Sequence, residues 1–329
     1  QLMNSWPTRD GFMFRILVSD KLGAAGLEML EKAPDAKYDM KTGLSKEELL
    51  EIISDYDALI IRSGTQADAK LLDADKNLKV VGRAGIGLDN VDLEEATKQG
   101  VIVMNTPGSN SVATAEQTMA LMLAISRNTV PAHNSLTAGE WNRAKFVGFE
   151  LYGKVLGIIG FGRIGRLVAE RAKAFGMMVL AHDPFVKAED AANLGVSLVG
   201  LDRVFSQADY LTLHTAVTPQ TTRMINRPSI NKMKKGVIII NVARGKLIDE
   251  AALAEALQEG QVKAAALDVY TNEPPEADNP LIGLPNVLHT PHLGASTVEA
   301  QRNVATQIVG QVLDCLRGVE TRNAINGLS

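Results

Sequence analysis

Short runs of apolar residues alternate with longer segments of helical periodicity from Phe14 onward. Such alternation is typical of parallel sheets whose strands are joined by crossover helices. Ser45, followed three residues later by Glu48, forms a capping-box pattern that predicts a helix through Ile53. We therefore predict one small α/β domain, with buried strands in FRILVS (14–19), ALIIR (58–62), KVVG (79–82) and VIVMN (101–105).

A second series of apolar runs begins at Lys154 and predicts another α/β domain. Between the two series, a long apolar helix over Ala115 to Arg127 could bridge the domains. A final helix over Thr297 to Leu316 repeats apolar residues every four positions, which gives one stripe that must pack on a partner surface. The predicted strands of the second series lie in 154–160, 178–183, 210–215, 236–243, 262–270 and 286–290.

Composition limits the class of protein. The 329 residues suggest about two domains, and 34 basic against 38 acidic residues give a net charge of −4, without the basic excess that nucleic acid requires. No apolar run approaches the roughly 18 residues of a membrane helix, so we expect no membrane partner. Cys315 is the single cysteine, which fits a reducing, cytoplasmic location. Its apolar neighbours in the sequence indicate a buried thiol. Residues 1–12 carry no secretory pattern, and we expect them to be a leader outside the first domain.

The sharpest local signal is a glycine pattern after the apolar strand VLGII, formed by Gly160, Gly162 and Gly165. A strand, this turn and a helix together predict a dinucleotide site, in which the helix amino terminus faces a pyrophosphate. Asp183 ends the next strand, about 20 residues further on, where a carboxylate binds the ribose hydroxyls of NAD and repels the 2′-phosphate of NADP. Arg163 is a candidate for the pyrophosphate, although a solvated helix residue explains it too.

Three residues at predicted strand ends could carry acid–base chemistry. His292 follows the last strand, and a histidine can exchange a proton near neutral pH. Glu273 could orient that imidazole, and Arg244 could bind a carboxylate in bidentate fashion. Taken alone, each is more typical of a structural residue. The five histidines show no zinc-ligand spacing, so we predict no metal site.

Six segments in order resemble the NAD-dependent D-2-hydroxyacid dehydrogenase family. The resemblance implies an α/β fold in which a Rossmann-type doubly wound parallel sheet is inserted in a smaller, flavodoxin-like substrate domain. It further implies that His292 is the acid/base, Glu273 its partner and Arg244 the anchor for the substrate carboxylate. The segments are GRAGIGLDNVD (82–92), MNTPGSNS (104–111), GIIGFGRIGR (157–166), NVARG (241–245), ALDVYTNEPP (266–275) and PHLGAST (291–297).

The family likeness also assigns binding residues for NAD and for a small 2-hydroxy acid. Arg62 and Arg83 stand at predicted strand ends, which suits a phosphorylated substrate, although each could instead pair with a carboxylate of its own domain. The likeness implies cofactor contacts from Gly160, Gly162, Arg163, Ile164, Gly165, Asp183, Thr215, Val242, Ala243, Arg244, Asp268, His292, Gly294 and Ala295, and substrate contacts from Arg62, Ser63, Arg83, Gly85, Ile86, Gly87 and Asn105.

We place the cofactor domain at residues 106–292 and the substrate domain at 1–105 and 293–329, with the active site in the cleft where the chain crosses twice. The apolar segment 131–152 is predicted, by family likeness, to join a dimer interface. Longer family members continue past a segment like Arg322 to Asn326 into regulatory domains, so we expect either a short form or the catalytic portion of such a protein. A glyoxylate or hydroxypyruvate reductase remains an alternative within the family, and an NAD-sensing transcriptional corepressor is a remote one.

Overall fold

The computed structural model describes residues 13–74 and 77–328, which form two compact units. The first unit holds the chain up to Asn110 and from Thr297, and the second holds Ser111–Ser296. The expected boundaries after residues 105 and 292 lie a few residues before these divisions. At the second one, the backbone amides of Leu293 and Gly294 bind a carboxylate of the second unit. The expectation for residues 1–12 lies outside the described residues.

The first unit is built on a parallel sheet of five strands. Their order, β2-β1-β3-β4-β5, is that of flavodoxin-like folds and confirms the predicted class of this domain. The predicted capping box is present, since Glu48 N donates to Ser45 Oγ and Ser45 N donates to Glu48 Oε2. The elements are β1 (Phe14–Val18), α1 (Ala24–Glu31), β2 (Ala36–Met40), α2 (Lys46–Ile52), β3 (Ala58–Ile61), α3 (Ala69–Ala74), β4 (Val80–Arg83), α4 (Leu93–Lys98) and β5 (Ile102–Met104).

The second unit is a Rossmann-type, doubly wound parallel sheet of seven strands in the order β12-β11-β10-β9-β6-β7-β8. The strand order reverses between β6 and β9, so a ligand is expected at the carboxyl ends of those two strands. The elements are α5 (Ser111–Ser126), α6 (Thr129–Thr137), β6 (Val155–Ile159), α7 (Arg163–Ala174), β7 (Met178–His182), α8 (Ala188–Ala192), β8 (Ser197–Leu198), α9 (Leu201–Gln207), β9 (Tyr210–Leu213), α10 (Arg227–Ile230), β10 (Val237–Asn241), α11 (Glu250–Gln258), β11 (Val262–Leu267) and β12 (Val287–His289).

Helix α5 differs from its prediction. It begins at Ser111 rather than Ala115, and all of it belongs to the second unit. Ala115, Met119 and Met122 are buried in the same apolar cluster as β6 and α7. Packing on its own unit therefore accounts for the apolar residues of the helix.

The C-terminal helix α12 (Val298–Leu316) returns to the first unit and packs its apolar stripe there, as predicted. Val312 and Ile308 are fully buried against the sheet. They approach β4 at Gly82, where a Cβ atom would lie 2.7 Å from Val312 Cγ2 and 3.0 Å from Ile308 Cγ1. Cys315 is buried in the same core, and burial raises the pKa of its thiol, so the predicted buried cysteine is confirmed.

Replacing Ile308 with alanine tests this packing. The change removes buried methyl and methylene groups and leaves a cavity between α12 and β4, so we expect the free energy of unfolding to fall by about 2–5 kcal/mol. Urea denaturation followed by circular dichroism measures the loss. Arg302→Ala, on the exposed side of the same helix, is the matched control and should stay within about 0.5 kcal/mol of the unaltered protein. Equal stability of the two variants would contradict the assigned core.

Candidate active site

The carboxyl ends of β10, β11 and β12 bring the three predicted catalytic residues into one unit. Arg244 follows β10, Glu273 follows β11 and His292 follows β12. Because these strands are parallel neighbours in the sheet, their carboxyl-terminal loops lie side by side.

His292 and Glu273 form a direct pair. The imidazole Nδ1 lies 2.5 Å from Glu273 Oε2, and the side chains keep 46% and 37% of their surface exposed. The other carboxylate oxygen, Oε1, accepts a hydrogen bond of 3.1 Å from Tyr270 N. Burial raises the pKa of Glu273, but His292, the Tyr270 amide and the charge of Arg244 together outweigh it and lower that pKa. Glu273 is therefore a carboxylate at neutral pH and holds a proton on Nδ1, so Nε2 is the ring nitrogen left to exchange a proton.

The loop that carries His292 is held by Asp268, whose side chain is fully buried. Asp268 Oδ1 accepts hydrogen bonds from Thr290 Oγ1 at 2.5 Å and from Leu293 N at 2.8 Å, and Oδ2 accepts one from Gly294 N at 2.8 Å. His292 N donates to the backbone oxygen of Asp268. His292 itself has a φ of +54°, a left-handed conformation that a histidine keeps only when its surroundings fix it.

A second link between the two catalytic loops was not predicted. Tyr270 Oη lies 2.6 Å from His289 Nδ1, and the rings stack at 6.1 Å between centroids. Burial raises the pKa of Tyr270 and lowers the pKa of His289, so the phenol donates to a neutral imidazole. The only sequence signal was the position of both residues at strand ends.

Arg244 is oriented by a buried turn. Asn241 is fully buried; its Nδ2 donates to Arg244 O at 2.8 Å, and its Oδ1 accepts from Ala243 N at 3.0 Å. Gly245 packs directly against the backbone of Tyr270, where a Cβ atom would collide. Arg244 therefore lies beside the loop of Glu273, close enough for its charge to act on that carboxyl group.

The glycine loop has the form that a dinucleotide requires. Gly160 has a φ of +93° and packs on the backbone of His214 and Thr215, so it must be glycine. Beside Gly162 a Cβ atom would meet nothing within 4 Å, which leaves an open approach to the first turn of α7. Gly162 gives that helix no side-chain cap, so its first amides, among them those of Arg163 and Ile164, are available to a phosphate.

Asp183 ends β7 beside this loop. Its Oδ2 accepts from Phe161 N at 2.8 Å and its Oδ1 accepts from Phe185 N at 2.9 Å. Each oxygen retains a second lone pair for a ribose hydroxyl, so the residue fits the predicted role.

Three further predicted cofactor residues meet on the other side of the switch point. A Cβ atom at Gly294 would lie 3.1 Å from Val242 Cγ1 and 3.4 Å from Asp268 Oδ2. Asp268 accepts three hydrogen bonds within its own unit and so supports the His292 loop, and its predicted contact with the cofactor remains a prediction. The same holds for contacts from Ala243 and Ala295, which flank this group.

In the first unit, the predicted substrate residues lie at the carboxyl ends of β3, β4 and β5. Asn105 is buried, and its Nδ2 donates to Ile86 O at 2.7 Å, which supports the loop of Gly85, Ile86 and Gly87. The Arg83 guanidinium lies over Gly85, in the place of a Cβ atom. Among residues 13–74 and 77–328, no carboxylate forms an ion pair with the Arg62 guanidinium, so the structure does not support the alternative that this side chain caps an acid of its own domain.

Two absences concern the described part of the chain. It contains no cluster of three or more histidine, cysteine or acidic side chains that could hold a metal ion. No helix within it has the length and apolar character needed to cross a membrane.

Comparison with known proteins shows the family to which the chain belongs. The family model described as "D-isomer specific 2-hydroxyacid dehydrogenase, NAD binding domain" matches residues 119–294. The chain belongs to the D-isomer specific 2-hydroxyacid dehydrogenase family, and NAD is its cofactor, as predicted.

Individual relatives resemble the chain over nearly its whole length. The D-3-phosphoglycerate dehydrogenase of Methanocaldococcus jannaschii is 50% identical over 315 residues, which cover 95% of this chain and 60% of that protein. The chain thus spans little more than half the length of that relative. A solved structure, that of the TT0316 protein from Thermus thermophilus, is 37% identical with a TM-score of 0.88 and covers 94% of this chain and 99% of that one. A glyoxylate reductase from Paecilomyes thermophila is 31% identical with a TM-score of 0.86, covering 95% and 97%.

Asp268→Asn tests how the His292 loop is held. An amide in place of the buried carboxylate sets an NH₂ group against the amide of Gly294 or Leu293, which leaves donors without an acceptor. We expect the free energy of unfolding to fall by about 1–3 kcal/mol in urea denaturation. Asp202→Asn, whose carboxylate is exposed on α9, is the control and should be neutral. An unchanged stability of Asp268→Asn would mean that these hydrogen bonds do not hold the loop.

Proposed function

We propose that the protein oxidises the C2 hydroxyl of 3-phospho-D-glycerate to 3-phosphooxypyruvate, the first step of L-serine biosynthesis, with NAD⁺ as hydride acceptor. The observation that carries the proposal is the 2.5 Å Glu273–His292 pair in the same unit as the glycine loop. The 50% identity to a protein named D-3-phosphoglycerate dehydrogenase supports the choice of substrate. A cytoplasmic location, first suggested by the single cysteine, belongs to this proposal.

His292 is the base in this direction. Because Glu273 holds the proton on Nδ1, the Nε2 lone pair takes the proton of the C2 hydroxyl. The charge that develops on the imidazole is stabilised by the Glu273 carboxylate 2.5 Å away. NAD⁺, when bound, accepts the hydride from C2. In the reverse direction the same Nε2 returns the proton to the carbonyl oxygen.

Cations bind the ends of the substrate in this proposal. Arg244 presents a planar guanidinium that matches a carboxylate and the reacting oxygen. Arg62, which no described carboxylate neutralises, suits a phosphate, with Ser63 beside it. The amides of Gly85, Ile86 and Gly87, together with Arg83 and Asn105, complete the proposed substrate set.

Reduction of glyoxylate or hydroxypyruvate is the second candidate, because a glyoxylate reductase shares the fold at a TM-score of 0.86. A substrate panel separates the two. Under the main proposal, 3-phospho-D-glycerate gives the highest kcat/KM, and Arg62→Ala lowers that value while hardly affecting unphosphorylated acids. A preference of the unaltered protein for unphosphorylated acids would favour the second candidate.

We propose that segment 131–152 contacts a second copy of the chain. Trp141 is 78% exposed, and Val147 and Tyr152 are each 77% exposed, which is unusual for apolar residues so close together in the sequence. Arg143 and Lys145 lie in this segment and would reach the partner's active site in such an assembly. Light scattering of the protein in solution should give the mass of a dimer or a larger oligomer.

Replacing His292 with alanine tests the base. General base catalysis contributes typically 10²- to 10⁴-fold, so we expect kcat to fall by about that factor. NAD affinity, measured by titration calorimetry, should change little, because the glycine loop and Asp183 remain intact. Turnover near that of the unaltered protein would contradict the role of His292.

Asp183→Ala tests the choice of cofactor. Without the carboxylate, the ribose hydroxyls lose their acceptor and the 2′-phosphate of NADP is no longer repelled. We expect a higher KM for NAD⁺ and a lower ratio of the kcat/KM values for NAD⁺ and NADP⁺. Asp190→Ala, exposed on α8, is the control. An unchanged ratio would exclude the ribose role.

A further inference from the structure

Asp20 and Asn90 are two polar residues of the first unit to which the proposed reaction gives no role. Asp20 follows β1, and Asn90 lies in the loop between β4 and α4. Both side chains reach the same four residues after β3, 62–65, which we call the β3 loop. In this sheet β1 and β3 are neighbours at the point where the strand order reverses, so the β3 loop stands where a ligand of such a sheet is expected.

The two side chains form hydrogen bonds with both ends of the β3 loop. Asp20 Oδ2 accepts hydrogen bonds from Arg62 N at 2.6 Å and from Thr65 N at 3.1 Å. Asn90 Nδ2 donates to Arg62 O and to Thr65 O, each at 2.6 Å. The amide and the carbonyl of Arg62 and of Thr65 are thereby all fixed by side chains from two other loops.

Side-chain packing reinforces this arrangement. Ser19 Oγ lies 2.9 Å from Thr65 Oγ1. A Cβ atom at Gly64 would lie 2.5 Å from Asp20 Oδ1, so only glycine allows the carboxylate to approach the loop backbone this closely. Asn90 is buried, which removes water as a competing partner for its amide.

The centre of the β3 loop stays open to solvent. Ser63 and Gly64 are exposed, and within the described ranges their amides donate no hydrogen bond. The loop thus presents several hydrogen-bond donors to solvent: the Arg62 side chain, the Ser63 hydroxyl and these two amides. A group of donors of this kind suits an anion.

Asn90 also belongs to the loop of Gly85, Ile86 and Gly87, which the proposed function assigns to the substrate carboxylate. Through its Nδ2 it therefore ties the proposed carboxylate loop to the β3 loop. A change at Asn90 would loosen the spacing between the two anion-binding loops, and displacements of about 1 Å in such groups cost a large factor in rate.

We infer that Asp20 and Asn90 are positioning residues, which clamp the β3 loop so that Arg62 and the Ser63 and Gly64 amides form a preset site for the second anionic group of the substrate. The inference rests on the proposed function for the identity of that group as a phosphate. It assigns Asp20 and Asn90 no contact with the substrate: they act through Arg62 and the loop backbone.

Four single variants test the clamp. Asn90→Ala removes both donors, and Asp20→Ala removes the shared acceptor. Asp20→Asn is the conservative variant, because one amide oxygen can still accept from both Arg62 N and Thr65 N. Asp57→Ala is the matched control: Asp57 also accepts a backbone amide, Arg15 N at 2.9 Å, but before β3, at the opposite end of the same strand.

Steady-state kinetics gives the first readout, with the best acid of the substrate panel and with its unphosphorylated counterpart. We expect Asn90→Ala and Asp20→Ala to raise KM for the phosphorylated acid by roughly 10-fold or more. KM for NAD⁺ should stay unchanged, and Asp20→Asn should recover most of the loss. Asp57→Ala should lower thermal stability without raising KM. A KM increase for Asp57→Ala equal to that for Asp20→Ala would overturn the inference, since general destabilisation would then explain both.

A double variant shows whether Asn90 acts through Arg62. In an Arg62→Ala background, Asn90→Ala should raise KM by a clearly smaller factor than in the unaltered protein, because one of the groups that it positions is already absent. An additional loss as large as in the unaltered protein would contradict the inference.

Hydrogen exchange of the β3 loop separates this inference from the proposed function. The Arg62 and Thr65 amides should exchange faster in Asp20→Ala than in the unaltered protein or in Asp57→Ala. Faster exchange with unchanged KM would overturn the positioning role alone, and unchanged exchange would overturn the clamp itself. Failure of the unaltered protein to oxidise 3-phospho-D-glycerate would overturn the proposed function, while the exchange result would still decide the clamp.

Discussion

The proposed chemistry depends on one buried carboxylate. Asp268 accepts hydrogen bonds from the Thr290 hydroxyl and from the amides of Leu293 and Gly294. These bonds fix the loop in which His292 adopts its left-handed conformation. A fully buried carboxylate is costly unless hydrogen bonds satisfy it, and here the loop itself supplies them. The same bonds that stabilise Asp268 thus hold the imidazole against Glu273, so stability and preorganisation have one source.

The first unit uses the same device. There Asp20 binds backbone amides of the β3 loop, and in both units the carboxylate follows a strand and accepts amides from the loop after a neighbouring strand. Side chains that bind backbone in this way fix a loop without filling the space in front of it. Of the groups left for ligands, Arg62 in one unit is partly exposed and His292 in the other is exposed, each on a fixed backbone.

Much of the fold followed from the sequence. Apolar runs predicted most strands of both sheets, but not β2 or β8, whose residues are largely exposed or only partly buried. Ser45 and Glu48 predicted a capping box, and the Ile308 stripe predicted a buried face of α12. These features depend on local periodicity or on residues three or four apart. The glycine pattern and the strand-end positions of Arg244, Glu273 and His292 also followed, since motif and strand order determine where such residues lie.

The residues' roles in supporting the loops could not be predicted from the sequence, for a physical reason. Asp20, Asn90 and Asp268 act on backbone groups far along the chain, and a backbone amide leaves no trace in the sequence. Tyr270 and His289 pair only because β11 and β12 are neighbours. The start of α5 was placed late because polar Ser111 and Thr114 are buried within its first turn, and periodicity of apolar residues does not register them.

In the proposed reaction, hydride leaves C2 of 3-phospho-D-glycerate while His292 takes the hydroxyl proton. Oxidation of substrate that carries deuterium at C2, followed by mass spectrometry of the reduced nucleotide, tests it most directly. Hydride transfer from C2 predicts reduced nicotinamide that carries one deuterium atom. Reduced nucleotide without deuterium, or none formed at all, would contradict it.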